Sequence, residues 1–235
     1  MKAGVGSTKV SSSRRTKRAG PNEPTLKSAK SRIASSSSVA ILDAARSLFL
    51  ERGFDGVNLD QVAKAAGISR QTVYNQFGSK DAVFREVVHR HWATVRAETE
   101  SLFRSTSDLN IAPAEMLADF AKALLRFVDE TDQIAFTRLV IAESRRIPWI
   151  AVEFYRAGKE PVLQTFAQAL AAMTKKGSLT CKDPELAAHQ FMGLVQEFII
   201  WPRVMAIGEG LNSLPPSGRV VKEAIEMFLM RYGRS

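Results

Sequence analysis

The sequence predicts an all-α chain: an N-terminal three-helix unit containing a helix-turn-helix, then a larger helical domain. Three observations carry that prediction. Apolar residues recur at helical spacing in one segment after another, no segment sustains strand-like alternation, and residues 53–84 hold two short, well-punctuated helices in tandem.

The tandem pair is defined by its ends. Asn58 suits an N-cap, and Gln61 three residues on completes a capping box. Leu59, Val62, Ala63 and Ala66 form one apolar face, and Ala63, Ala65 and Ala66 are small enough for another helix to approach closely. Gly67 stands where a left-handed residue ends a helix, a conformation that Gly adopts without steric cost. Ile68 is placed to fill the angle between the two helices, and Ser69 caps the second, with Thr72 at its third position. That helix covers residues 70–77. Val73 and Phe77, four apart, face inward. Arg70, Gln71, Thr72, Tyr74, Asn75 and Gln76 are left at its start and outer face.

Everything downstream reads as helix. Residues 80–103 form one long helix with Phe84, Val88, His91, Val95 and Leu102 along a stripe. Residues 114–129 are amphipathic, with Leu117, Phe120, Ala121, Leu124 and Val128 opposite Asp119, Lys122 and Arg126. Residues 134–145 continue the pattern until Pro148 breaks it. A helix from Pro148 is expected to end at Gly158 as a C-cap, and another to run over residues 160–176 and end at Gly177. Residues 184–207 differ, being apolar on every side, and such a helix has to be covered on every side. The last helix, over residues 218–232, adds Val221, Ile225, Phe228 and Leu229. One face of each is expected to meet a second copy in a four-helix dimer interface formed by Phe191, Val195, Phe198, Ile199, Ile225, Phe228 and Leu229. A helix simply central to the protomer is the alternative.

Bulk properties bound the rest. The chain has 235 residues, 45% apolar and 24% charged, ordinary values for a globular protein. No run approaches the roughly 18 apolar residues of a membrane span, and the N-terminus lacks the apolar core of a secretory signal. One Cys, Cys181, excludes an internal disulfide and fits a reducing compartment. His89, His91 and His189 are not at metal-ligand spacing, so no metal or other cofactor is expected. The net charge of +9 is local: residues 1–35 hold nine Lys or Arg and one acid, whereas the rest hold 24 basic and 23 acidic residues. This Ser-rich tail has almost no large apolar side chains, so coil is expected there. Placed just ahead of the helices, it suits attraction to nucleic-acid phosphates or an adjacent minor groove. The expected organisation is therefore a basic tail over 1–35, the three-helix unit over 36–82 and the larger domain over 83–235.

The outward side chains of residues 70–77 have the chemistry of base readers. Arg, Gln and Asn make bidentate hydrogen bonds to base edges in the major groove. Thr72 and Tyr74 suit phosphate oxygens, and Lys80 offers a charge to the same backbone. A helical hairpin that binds no DNA has a similar pattern, and the residues alone leave both readings open. The stretch AKAAGISRQTVYNQFGSKDAVF, with ILDAARSLFLERGFDGV ahead of it, resembles the DNA-binding domain of the TetR/AcrR family of bacterial repressors over residues 39–88. The resemblance implies a homodimer that reads a palindromic double-stranded DNA operator through Asn58, Arg70, Gln71, Thr72, Tyr74, Asn75, Gln76 and Lys80. Asn58 stands where Thr is usual, and Gln76 where an aromatic residue or His is usual, which puts the operator sequence in doubt. More loosely, residues 138–163 resemble the AefR-like C-terminal domain, which implies an effector-binding or dimerisation role.

The family habit of binding a small molecule among the middle helices makes an effector pocket the next expectation. His91, Trp92, Phe120, Phe127, Phe136, Glu143 and Phe191 are its candidate residues, and the effector itself is unknown. Glu143 shares the apolar face of Phe136, Leu139 and Val140, where an unpaired carboxylate is costly. A ligand, or Arg138, Arg145 or Arg146, would satisfy it. An enzyme is not expected, since no nucleophile–base pair, metal spacing or phosphate-cradling Gly loop is present. The reading is a ligand-modulated, sequence-specific transcriptional regulator in the bacterial cytoplasm, on the nucleoid. Its rival is a non-specific DNA-coating protein that acts through its tail.

Overall fold

The computed structural model describes the backbone of residues 26–108, 111–207 and 214–234, with side chains over 36–104, 111–207 and 214–234. The chain divides into two compact units, Met1–Ser36 and Ser37–Ser235. Of the first, only the opening of helix α1 (Leu26–Arg52) is described. The disorder expected of residues 1–25 lies outside the described residues, whereas residues 26–35, expected as coil, belong to α1.

Within the second unit, helices α2 (Leu59–Ala66) and α3 (Arg70–Phe77) form the helix-turn-helix with the caps that the sequence demands. Asn58 Oδ1 accepts from the Gln61 amide at 2.9 Å, while Gln61 Oε1 accepts from the Asn58 amide at 2.9 Å. Gly67 closes α2 at φ 65°, and Ser69 Oγ accepts from the Thr72 amide at 3.1 Å. Leu59, Val62 and Val73 are buried against α1 residues Ile41, Ala45 and Phe49 in one core.

Helix α4 (Lys80–Asp108) is the longest described helix after the pair, and it packs on α5 (Pro113–Glu130) and α8 (Glu160–Lys175). The expected stripe holds: Phe84, Val88 and Val95 are fully buried. Helices α6 (Gln133–Ser144) and α7 (Pro148–Phe154) follow α5, and α9 (Pro184–Ile199) and α11 (Ser217–Tyr232) lie side by side. A stack of rings runs through this part. Phe120 and Phe166 lie 4.1 Å apart between centroids, Phe103 flanks them, and Phe191 joins them to Phe228.

Two helix boundaries differ from expectation. Gly158 does not end a helix: α7 runs through a π-helical turn, Tyr155–Lys159, directly into α8. The missing Cβ serves packing instead, because a Cβ at Gly158 would overlap the Trp92 indole of α4. The apolar run after Pro184 is also not one helix. It breaks at Ile200 and continues as a single turn, α10 (Trp201–Val204), where Pro202 has no amide to donate.

Candidate nucleic-acid interface and effector cavity

Helix α3 presents Arg70, Gln71, Tyr74 and Asn75 to solvent. Each is held by a neighbour. Arg70 Nε pairs with Asp60 Oδ1 of α2 at 2.8 Å, and its guanidinium lies 5.3 Å from the Tyr74 ring centroid. Gln71 Nε2 donates to Asn75 Oδ1 at 2.8 Å, and the Thr72 and Ser69 hydroxyls lie 2.8 Å apart. Asn58 is exposed at the start of α2 with its oxygen committed to the cap. Two expected readers turn inward. Gln76 Oε1 accepts from Ser38 Oγ at 3.0 Å while its amide donates to Ser37 Oγ at 2.6 Å, which ties α3 to α1. Lys80 Nζ donates to the Phe54 carbonyl at 2.9 Å and sits 4.3 Å from that ring's centroid. Lys80 thus ties the start of α4 to the turn before α2.

A second feature lies among the middle helices: a cavity of about 280 Å³, walled mainly by apolar side chains of α4, α5, α6, α7 and α9. Trp92 and Phe127, expected at a pocket, are on its wall. His91, Phe120, Phe136, Glu143 and Phe191 are not. Phe120 and Phe191 belong to the ring stack, and Phe136 is buried with its centroid 4.3 Å from that of His91. His91 sits one layer behind the wall, its Nε2 2.8 Å from Gln133 Oε1, an acceptor, so the ring donates there. Burial lowers its pKa from 6.5 to about 4, so the neutral ring is the resting form. The cavity's polar residues, Gln133, Thr137, Tyr155, Lys159 and Gln196, escaped the sequence reading. Each looks like an ordinary surface position until helices from distant parts of the chain meet around it. Lys159, at the end of the π-helical turn, has no hydrogen-bond or ion-pair partner among the described residues, and desolvation lowers its pKa. The buried Trp92 Nε1–H also has no acceptor.

Glu143 has a different task. It is buried at the C-terminal end of α6, where Oε1 accepts from the Phe54 amide at 3.0 Å. Its other oxygen accepts from Arg146 at 2.9 Å, and Arg146 also pairs with Asp55 at 2.6 Å. The carboxylate thus holds the turn between α1 and α2, with Trp149 stacked edge-on against Phe54 and Phe84 beside it. At the other end of α6, Asp132 pairs with Arg46 of α1. One helix therefore lines the cavity through Gln133, Thr137, Val140 and Ile141 and, at its two ends, grips α1 and the turn before α2.

The comparison with known proteins fits this geometry. Residues 115–234 match the C-terminal domain of AefR-like transcriptional repressors, and residues 41–87 match the bacterial regulatory proteins of the tetR family. The chain belongs to the TetR family. This TetR-family chain is similar to a solved structure described as a TetR-family transcriptional regulator from Mesorhizobium loti. That likeness has 27% identity, a TM-score of 0.74, and coverage of 86% of this chain and 98% of the other. The flavonoid-responsive regulator FrrA is 32% identical, with a TM-score of 0.63 over 84% of this chain and 97% of its own. The transcriptional regulator AlkX of Mycobacterium tuberculosis is 52% identical over 44 residues, 19% of this chain and 21% of AlkX. The chain thus spans a fifth of that curated relative and nearly the full length of the two solved structures.

The dimer residues expected from the sequence divide in two. Phe191, Val195, Ile199 and Phe228 are buried in the protomer's own core, and Ile225 and Leu229 are half-buried. Phe198 of α9 is 46% exposed, and Met227 and Met230 of α11 are 51% and 81% exposed. Among the described residues no helix is long and apolar enough to cross a membrane.

Proposed function

We propose that this protein is a ligand-modulated, dimeric repressor that reads a palindromic operator. The observation that carries the reading is the capped α2–α3 pair presenting Arg70, Gln71, Tyr74 and Asn75 outward while Val73 anchors α3 in the core. Two such helices related by two-fold symmetry read half-sites one or more turns apart. The second copy covers Phe198, Met227 and Met230 on α9 and α11, apolar side chains that water solvates poorly. Repression is the sense in which the matched C-terminal domain is described. The cytoplasm, on the nucleoid, is where an operator reader of this kind works.

The cavity receives the effector, as the description of FrrA as flavonoid-responsive supports for a relative of near-full coverage. A ligand favouring one position of α6 shifts the population of DNA-reading geometries, within the limit set by its differential affinity for the two states. Asp132 and Glu143 carry that shift to α1 and to the turn before α2.

The test is selection of bound sequences from a random duplex pool by the full chain, at physiological salt, since affinity depends steeply on it. An inverted repeat is expected. Recovery of no motif would favour a DNA-coating protein acting through residues 1–35. With the repeat in hand, Arg70→Ala is expected to cost about 1–3 kcal/mol and relax specificity at one base position. An equal loss on every sequence would make Arg70 a phosphate contact.

A further inference from the structure

The cavity has an unusual balance of polar groups. Its wall is mostly apolar, and among the described residues no Asp or Glu lines it. Yet two of its residues carry donors without acceptors: the ammonium of Lys159, and the indole N–H of Trp92, which is buried and unsatisfied. Gln133 and Thr137, two acceptors on the same wall, are engaged elsewhere. Gln133 Oε1 takes the His91 ring, and Thr137 Oγ1 donates to the Gln133 carbonyl at 2.8 Å. A buried donor with nothing to donate to is a standing cost that a bound acceptor removes. A lysine ammonium in apolar surroundings is the strongest form of that demand, and its natural complement is an anion.

We propose that the effector is an apolar molecule carrying a single anionic head, a carboxylate or a phenolate, which pairs with Lys159 while its apolar body fills the cavity against Trp92 and Phe127. The proposal rests on the reading of the cavity as the effector site and names the chemistry that site takes. Burial that lowers the ammonium's pKa acts in the same direction, because an adjacent anion restores the charged form. A cationic ligand meets the opposite situation, a like charge and no carboxylate.

Calorimetric titration of the full chain at neutral pH with decanoate, decanol and decylamine compares three head groups on one tail. Naphthoate and naphthalenemethanol repeat the comparison on an aromatic body. At least one acid is expected to bind about tenfold or more tightly than its own alcohol. Lys159→Met keeps the length and removes the charge, and is expected to abolish that preference, bringing each acid to about the affinity of its own alcohol. Lys159→Gln serves as a second variant, and circular dichroism verifies the fold of both. Trp92→Phe keeps a ring without the N–H and is expected to weaken the acid about fivefold. If alcohol and acid bind alike, or the amine binds best, the anionic assignment is overturned and the cavity remains an effector site. An acid preference that survives in both Lys159 variants overturns the role of Lys159. If no compound binds, the effector reading of the cavity falls together with the proposal.

Discussion

The DNA-facing helix and the cavity treat their polar side chains in opposite ways. On α3 each candidate reader has a nearby partner in the free protein: Arg70 with Asp60, Gln71 with Asn75, Thr72 with Ser69. These pairs are exposed, so water screens them, and exchanging them for bases or phosphates costs little. In the cavity, the half-buried Lys159 and the buried Trp92 Nε1 have no partner among the described residues. The first surface is arranged to be released, the second to be completed. On the proposed function, DNA reading would replace weak contacts and effector binding would satisfy unmet ones.

That contrast yields a graded series of tests, since substitutions on the buried side should cost far more than those on α3. The largest effect is expected at Gly158→Ala, whose new methyl would enter the space of the Trp92 ring. A loss of about 3 kcal/mol or more is expected in urea denaturation. An unchanged midpoint would mean that α7 and α8 slide freely away from α4. Next is the titration of His91. Its folded pKa, about 4 against 6.5, is depressed, so the unfolded chain binds the extra proton between those values. Its contribution is present above pH 6.5 and is lost as pH falls towards 4, at most about 3 kcal/mol. His91→Gln should remove that slope; a slope that persists would belong to other groups.

Glu143→Gln keeps an acceptor for the Phe54 amide but loses the charge paired with Arg146. A loss of about 1–2 kcal/mol is expected, along with weaker coupling between effector and operator affinity. Full coupling in this variant would remove α6 as the carrier. The smallest change belongs to Asp60→Asn, expected within about 0.5 kcal/mol of wild type because both partners of that pair are exposed. A loss well above 1 kcal/mol would show that α3 is structurally clamped, and the contrast drawn above would fail.

How much of this was legible in the sequence depends on how far each cause lies along the chain. Asn58, Gly67 and Ser69 cap helices through residues at most four positions away, so their roles could be read directly. The all-helical fold followed from the same local logic. Gly158 was read as a helix end because Gly signals a missing Cβ without saying what needs the room, and the Trp92 ring comes from another helix. Phe191 and Phe228 lie on helices that are apolar on several faces, and no periodicity tells which face meets the protomer's own core. Pro202 was a local signal of a break, outweighed by the apolar run around it. Lys80 and Gln76 have the right chemistry for DNA, but Phe54, Ser37 and Ser38 compete for them, and that competition appears only in three dimensions.

The π-helical turn, Tyr155–Lys159, sets the rotational phase of everything after it. It holds one more residue per turn than the α-helix on either side, and a single-residue deletion there would restore regular winding without breaking the rod. Each residue in an α-helix turns the chain by about 100°, so that deletion would swing α8 against α4 or carry Lys159 out of the cavity. Loss or gain of one codon at this turn is therefore a short route to a different cavity lining on an otherwise unchanged fold.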